Sequence, residues 1–267
     1  MTNKIKSSKS GIFVKDLISG NEYSEHADDY FEGSSTVKTA IVLLVLQKII
    51  EGKGSLGEVL EIKPSNLSIG SGILNWTDIR RLTIEDHIKY LARYSDCVAT
   101  NVLIDYLGGK ESLNEALKNQ NFKTRLQMDS LQFTDQEIEM PKVTKTTPRD
   151  IAMVFTKMIN GAGDKNLARL TKELFSFIDQ PWYEDTLDLS KLGTYKIWQK
   201  TGSMMEIGPD QDSAMNLVGL IELPNNLIQF SCLNRVSFKE KASNEDIYQV
   251  KKGLMSNLVE TILKFTL

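Results

Sequence analysis

Strand-like patterns at the two ends of the chain, separated by helical ones, most constrain how it can fold. Near the start, GIFVKDLISGNEYSEHADD (residues 11–29) is typical of strand, turn and strand, and predicts a hairpin. From Gly193 the strand patterns return, and a second hairpin is predicted to turn at residues 224–226, Pro-Asn-Asn. An isolated hairpin cannot bury its apolar face, so we expect both hairpins to share one antiparallel sheet.

The segment between the hairpins shows helical periodicity. Residues 36–50 are apolar on nearly all sides, which predicts a central helix. Residues 82–95 place their apolar side chains on one helical face. Thr147 as N-cap, followed by proline at the first helical position, predicts another helix start. A long amphipathic helix is predicted over residues 244–265.

These patterns predict an α+β fold, in which an antiparallel sheet is flanked by helices and an all-α lobe is inserted between its strands. Residues 1–34 and 190–267 would form the sheet lobe, and residues 35–189 the helical lobe, with the active site at their junction. A chain of 267 residues is long enough to bury a substantial core.

Composition excludes several partners and locations. A net charge of -3 without a long basic cluster argues against nucleic acid as the main partner. The longest apolar run, residues 40–46, is too short to span a membrane. Residues 1–20 contain no apolar signal-peptide core, so a complete chain would be cytoplasmic. Cys97 and Cys232 could form at most one disulfide, and no framework spacing favours it.

The clearest chemical motif is Ser35-Thr36-Val37-Lys38, which precedes the predicted central helix. A serine hydroxyl is a weak nucleophile and needs a neighbouring base. Lys38 lies one helical turn after Ser35, on the same face, and burial disfavours a charged amine. Lys38 is therefore the candidate proton acceptor or electrostatic organiser for Ser35. Taken alone, the motif also fits a helix cap followed by a lysine that extends to the surface.

Two further motifs follow in order: Ser95-Asp96-Cys97 between two helices, and Lys200-Thr201-Gly202 on a strand. Alone, Ser95-Asp96 fits a helix N-cap, and Lys200 fits a solvated charge at a sheet edge. The three motifs together resemble those of class A β-lactamases and penicillin-binding proteins. The resemblance extends over nearly the whole chain, through GSGIL (residues 70–74), residues 82–109 and TTPRD (residues 146–150).

The resemblance implies roles for particular residues. Ser35 would be the acylated nucleophile, and Ser95 would relay its proton to the leaving nitrogen. The substrate carboxylate would be bound by Lys200, Thr201 and Ser203, and the backbone N–H groups of Ser35 and Ser203 would form the oxyanion hole. The resemblance also implies a monomer acting on a small β-lactam or acyl substrate without metal or cofactor. It further implies a secreted or cell-envelope enzyme if a leader has been removed.

The chain departs from the family in three places. Cys97 stands where the family has an asparagine that binds substrate, and a thiol is a weak hydrogen-bonding group. The loop over residues 127–145 lacks the family's E-x-x-L-N motif, whose glutamate activates the deacylating water. Asp129, Glu137 and Glu139 are the candidate replacements, of which Asp129 is adjacent to the glutamate's place. Residues 1–10 are too few for the family's first helix, which packs beside the terminal helix, so the first helix is lost or trimmed and an apolar face is expected to be left for a partner.

The leading hypothesis is a class A β-lactamase-like serine hydrolase that forms an acyl-enzyme on Ser35 and releases it slowly. A penicillin-binding-protein-like DD-peptidase or an esterase is the enzymatic alternative, because both site departures affect β-lactam turnover rather than the nucleophile. A sensor domain that is acylated without turnover is an alternative from another class. The sensor alternative rests on the absence of the family's glutamate from the loop.

Overall fold

The computed structural model describes residues 4–127, 144–176, 188–204 and 212–265. The strands in these ranges are β1 (Ile5–Asp16), β2 (Glu22–Glu25), β3 (Val59–Glu61), β4 (Arg81–Thr83), β5 (Arg125–Leu126), β6 (Thr144–Lys145), β7 (Lys196–Met204), β8 (Asp212–Glu222) and β9 (Leu227–Phe238). The helices are α1 (Lys38–Ile50), α2 (Ile84–Tyr94), α3 (Cys97–Tyr106), α4 (Gly109–Asn119), α5 (Pro148–Ile159), α6 (Lys165–Leu174) and α7 (Asn244–Leu263).

One five-stranded sheet joins the two ends of the chain, in the order β2-β1-β9-β8-β7. Its neighbouring strands are antiparallel, and β1 pairs with β9 so that Ile12 lies opposite Cys232. The N-terminal and C-terminal hairpins therefore pair through β1 and β9 in one sheet, as their patterns predict. The predicted α+β fold class is confirmed. The division into two lobes at the stated boundaries stays a prediction.

Both faces of the sheet are buried, and alternate residues of β1 show how. Ile12 and Val14 belong to a cluster with Met255 and Leu258 of α7. Phe13, which points the opposite way, belongs to the cluster formed by α1 and α5. The sheet is therefore covered by the terminal helix on one face and by the helical segment on the other.

The central helix is confirmed, with its start shifted. Residues 34–37 form a 3-10 turn, and α1 begins at Lys38. The side chains of residues 38–46 are all buried, which explains the lack of a polar face in this part of the sequence. The predicted cap of α5 is also confirmed, since the Thr147 hydroxyl accepts the Asp150 N–H at 3.2 Å. That bond satisfies one of the free N–H groups of the first turn.

Two features differ from the predictions. A small antiparallel sheet of β3 and β4, whose two strands are separated by residues 62–80, lies within the region predicted to be helical. Three-residue strands are too short to show a period, so the sequence pattern did not indicate them. The expected apolar surface on α7 is wrong. Its large apolar side chains are buried or half-buried, and its exposed positions are polar or glycine: Asn244, Glu245, Gln249, Lys252, Gly253, Ser256, Asn257 and Glu260. Among the described residues, no helix is both long and apolar enough to cross a membrane.

Candidate active site

Ser35 lies on a constrained turn immediately before α1. The preceding residue, Ser34, has a φ of 48°, which is rare for a residue other than glycine. The Glu32 carboxylate accepts the Ser34 N–H at 2.9 Å, and the Thr36 hydroxyl donates to the Gly33 carbonyl at 2.6 Å. Backbone strain of this kind costs about 1–3 kcal/mol and is concentrated at functional sites. The turn therefore holds the half-buried Ser35 in a defined place.

The strand β7 lies directly against this turn, and Gly202 makes that approach possible. A Cβ atom at residue 202 would lie 2.7 Å from the Thr36 backbone nitrogen and 3.0 Å from that of Ser35. Any larger residue would push the strand away from the nucleophile. The glycine of the Lys-Thr-Gly motif thus brings the sheet and the start of α1 into contact.

The two residues before Gly202 on β7, Lys200 and Thr201, are buried. Lys200 is 2 % exposed, and its amine donates to the Thr201 carbonyl at 3.1 Å. The alternative reading of Lys200 as a solvated edge charge is therefore wrong. The Thr201 hydroxyl is buried without a hydrogen-bond partner among the described residues. Ser203, two positions along the strand, is half-buried. An unpaired buried hydroxyl is costly, and a ligand that bonds it would remove that cost.

Lys38 points into the protein, which excludes the reading of a lysine that extends to the surface. Its side chain is 2 % exposed. The amine donates to the Ser95 carbonyl, to the Ser95 hydroxyl at 3.3 Å and to the Cys97 sulfur at 3.5 Å. In the part of the chain that the structure describes, no hydrogen bond joins this amine to the Ser35 hydroxyl. The amine is directed toward Ser95 instead, and catalytic hydrogen bonds often close only when substrate binds.

Ser95 links α2 to α3 in a left-handed conformation, with a φ of 51°. The cap of α3 is Asp96, whose carboxylate accepts the Ala99 N–H at 2.9 Å. Because Asp96 carries out the capping that the sequence also allowed for Ser95, the Ser95 hydroxyl is left facing Lys38. Cys97 follows at the first position of α3, 2 % exposed and unoxidised.

Two residues in this region were missed by the sequence reasoning. The Ser71 hydroxyl donates to the Ser95 carbonyl at 2.6 Å and accepts from the Lys38 amine at 3.5 Å. The Glu32 carboxylate binds the Thr144 N–H at 3.2 Å and the Thr144 hydroxyl, besides the turn before Ser35. Ser71 lies in the GSGIL stretch of residues 70–74, but nothing local marked its hydroxyl as part of the site. No pattern singled out Glu32.

The candidate deacylation bases Asp129, Glu137 and Glu139 lie outside the described residues. At the two ends of that segment, Leu126 of β5 pairs with Thr144 of β6.

The described residues offer no other reactive centre. None of them forms a group of three His, Cys, Asp or Glu side chains that could hold a metal. His26 is an exposed neighbour of Asp29, and burial lowers the pKa of His87 to about 4. Cys232 is also free, and burial raises the pKa of its thiol to about 11. The available chemistry is therefore that of a serine hydroxyl, an amine and a second hydroxyl, which is suited to acyl transfer.

Comparison with known proteins agrees with this chemistry. A model of the beta-lactamase enzyme family matches residues 1–244. Beta-lactamase VEB-1 of Pseudomonas aeruginosa is 25% identical over 259 residues, which cover 91% of this chain and 83% of that protein.

Solved structures share the fold. A beta-lactamase from Sphaerobacter thermophilus aligns with a TM-score of 0.75 at 18% identity, covering 97% of this chain and 92% of the other. A mutant of PBP-A, solved as an acyl-enzyme complex with penicillin G, aligns with a TM-score of 0.71 at 21% identity, covering 96% and 92%. The resemblance drawn from the motifs is confirmed, and the family match, which covers most of the sequence, shows that this chain belongs to the beta-lactamase enzyme family.

Proposed function

We propose that this protein hydrolyses β-lactams through an acyl-enzyme on Ser35. The observation that carries the proposal is the position of the Lys38 amine. It is buried at the start of α1, one turn after Ser35, and bonds both the carbonyl and the hydroxyl of Ser95. A buried amine that bonds the Ser95 hydroxyl, and that lies one turn after Ser35, is suited to moving a proton from Ser35 to Ser95 once substrate brings the groups together.

In the proposed reaction, the Ser35 oxygen attacks the β-lactam carbonyl carbon while Lys38 takes the hydroxyl proton. The ring C–N bond then breaks as Ser95 donates its proton to the leaving nitrogen. The Ser95 proton is replaced through Lys38, 3.3 Å away, so the proton from Ser35 ends on the ring nitrogen. The product of this half-reaction is an ester between Ser35 and the opened ring.

The substrate carboxylate is proposed to bind Lys200, Thr201 and Ser203 on β7. The buried Thr201 hydroxyl without a partner in the described residues supports this assignment, because a carboxylate oxygen would satisfy it. The backbone N–H groups of Ser35 and Ser203 are the proposed oxyanion hole, and the close packing at Gly202 supports it. Cys97, beside the Lys38 amine, is the proposed neighbour of the substrate's acylamide.

The site would take a small molecule at the junction between the sheet lobe, residues 1–34 and 190–267, and the helical lobe, residues 35–189. The contact of β7 with the Ser35 turn supports this position, since each lobe supplies one side. The polar outer side of α7 is consistent with a monomer.

Deacylation is proposed to be slow. Counted along the sequence from residues 124–126, Ser130 falls at the place of the family's glutamate, and the adjacent Asp129 has a shorter side chain. Water attack on an acyl-serine ester needs a base, and its assistance is typically worth about 10²–10⁴-fold. Turnover should therefore show a stoichiometric burst followed by a slow steady state.

The test combines a chromogenic cephalosporin with intact mass measurement during turnover. The expected result is a burst, with an adduct on Ser35 at steady state. Ser35→Ala should abolish labelling by a fluorescent penicillin, whereas Ser34→Ala, which removes the neighbouring hydroxyl, should still be labelled.

Other results would point to the rival functions. Hydrolysis of acyl peptides or esters without β-lactam turnover would favour a peptidase or an esterase. An adduct that never clears would favour the sensor. Rapid turnover without a burst would mean that an efficient deacylation base exists, and Asp129→Asn, Glu137→Gln and Glu139→Gln would locate it.

A further inference from the structure

One backbone hydrogen bond holds Ser71 at the start of α3, and side-chain bonds hold the residues that follow it. Its carbonyl accepts the Cys97 N–H at 2.8 Å. The following residues are fixed by the Asp96 carboxylate, which accepts the N–H groups of Ile73 and Leu74 at 2.7 and 2.9 Å. The loop that carries Ser71 is therefore tied to the Ser95-Asp96-Cys97 segment, although more than twenty residues separate them in sequence.

The hydroxyl of Ser71 contacts three groups of the candidate site. It lies 2.6 Å from the Ser95 carbonyl, to which it donates, and 3.5 Å from both the Lys38 amine and the Cys97 sulfur. Because its proton is directed to the Ser95 carbonyl, its lone pairs remain available to Lys38. Ser71 is thus an acceptor for the amine and a donor to the carbonyl that the amine also binds.

The surroundings of the amine make this hydroxyl significant. Once Lys38 has taken the Ser35 proton, its ammonium group carries three N–H donors. Its oxygen acceptors in the described residues are the carbonyl and hydroxyl of Ser95 and the hydroxyl of Ser71. The fourth acceptor, the Cys97 sulfur, is a weak one. Loss of the Ser71 hydroxyl would leave the amine with acceptors from a single segment.

The same hydroxyl supports the backbone of Ser95. The left-handed conformation of that residue is strained and needs its surroundings to hold it. The Ser95 carbonyl receives two hydrogen bonds, from Lys38 and from Ser71, and both constrain its direction. Removing one of these two bonds would let the Ser95 carbonyl move. The Ser95 hydroxyl would then also lose its fixed position.

We propose that Ser71 is a positioning residue for acylation, holding the Lys38 amine and the Ser95 carbonyl in their working arrangement. The inference rests on the proposed acyl transfer to Ser35. Ser71 itself is not proposed to bond the reacting atoms. Its effect should therefore appear in the rate of the acylation step rather than in substrate binding.

The experiment measures acylation by a fluorescent penicillin over a range of concentrations, which separates the limiting rate from the binding constant. Ser71→Ala should lower the limiting rate by about three- to tenfold, the size of one lost hydrogen bond, with little change in binding. Ser71→Thr, which keeps a hydroxyl, should recover most of the rate. Ser68→Ala is the matched control, because its hydroxyl lies in the same loop and accepts the Gly70 N–H at 3.3 Å.

A double-mutant cycle with Lys38 gives the sharper test. If Ser71 acts through the amine, Ser71→Ala should slow the Lys38→Ala variant by less than about twofold. Wild-type acylation rate in Ser71→Ala would overturn the inference, and so would a rate loss that is fully additive with Lys38→Ala. A wild-type protein that never labels Ser35 would instead overturn the proposed function.

Discussion

Two buried lysines, Lys38 at the start of α1 and Lys251 in α7, lie in different surroundings. They are 2 % and 3 % exposed, so burial does not distinguish them. The Lys38 amine donates to oxygens of Ser95 and Ser71. Burial lowers the pKa of the Lys251 amine to about 7, and this lysine lies on α7, which packs on the opposite face of the sheet from α1. A buried lysine alone is therefore weak evidence for catalysis, and the chemistry of its neighbours has to supply the rest.

The largest expected difference between these lysines is in acylation. Lys38→Ala should slow acylation of Ser35 by about 10²–10⁴-fold, the usual contribution of a positioned base. Lys251→Met is the matched control, since it removes an equally buried amine from a helix that packs on the opposite face of the sheet, and it should acylate at the wild-type rate. Labelling by a fluorescent penicillin measures both. Equal acylation rates in Lys38→Ala and Lys251→Met would show that Lys38 has no special role in acylation.

The second difference is in stability and its dependence on pH. The pKa of Lys251 is lowered from 10.5 to about 7 in the folded state, so between these values the unfolded chain binds a proton that the folded one lacks. Stability should therefore rise with pH through this window and be lost as pH falls toward 7. Over two pH units the contribution is about 2–3 kcal/mol.

Lys251→Met should remove this rise and stabilise the protein near neutral pH. Urea unfolding of wild type and variant at the two ends of the window measures the change. Parallel pH profiles for the two proteins would show that Lys251 does not titrate there.

A smaller effect on stability and acylation is expected from Glu32, which holds the turn before Ser35. Glu32 Oε1 accepts the Ser34 N–H and the Thr144 hydroxyl, and Oε2 accepts the Thr144 N–H. Glu32→Gln removes the charge and replaces one of these oxygens with an NH₂ group, which cannot accept. Loss of bonds to a charged acceptor should cost about 1–3 kcal/mol of stability and slow acylation several-fold. Glu61→Gln, an exposed glutamate on β3, is the control. An unchanged melting temperature and acylation rate would mean that the turn needs no carboxylate.

The smallest expected effect concerns the weakest neighbour of Lys38. Cys97→Asn should raise acylation by acylamido β-lactams several-fold more than acylation by simple esters, since one hydrogen bond between neutral groups is worth about 0.5–1.5 kcal/mol. The acylation rates of wild type and Cys97→Asn with an acylamido β-lactam and with a simple ester measure this difference. The same gain for both classes would assign Cys97 to packing rather than to substrate recognition.

The sequence was most informative where local rules decide structure. The strand, turn and strand pattern of residues 11–29 predicted a hairpin, and the continuous apolar run after Ser35 predicted the central helix. Thr147 predicted a cap that the structure shows. The missed pairing of β3 with β4 and the wrongly expected apolar face of α7 were not decided by local rules. Both depend on contacts between distant segments, which no local period records.

The candidate site divides in the same way. Sequence spacing alone fixed Ser35 and Lys38 one turn apart at a helix start, because three residues of helical backbone leave little freedom. Only the tertiary structure decided that Lys38 faces Ser95, across 57 residues of sequence, and that Ser71 meets the same carbonyl. It also decided that Gly202 lies against the Ser35 backbone. Such contacts arise when packed elements bring remote segments together, and a hydroxyl or a glycine carries no local mark of the neighbour it will meet.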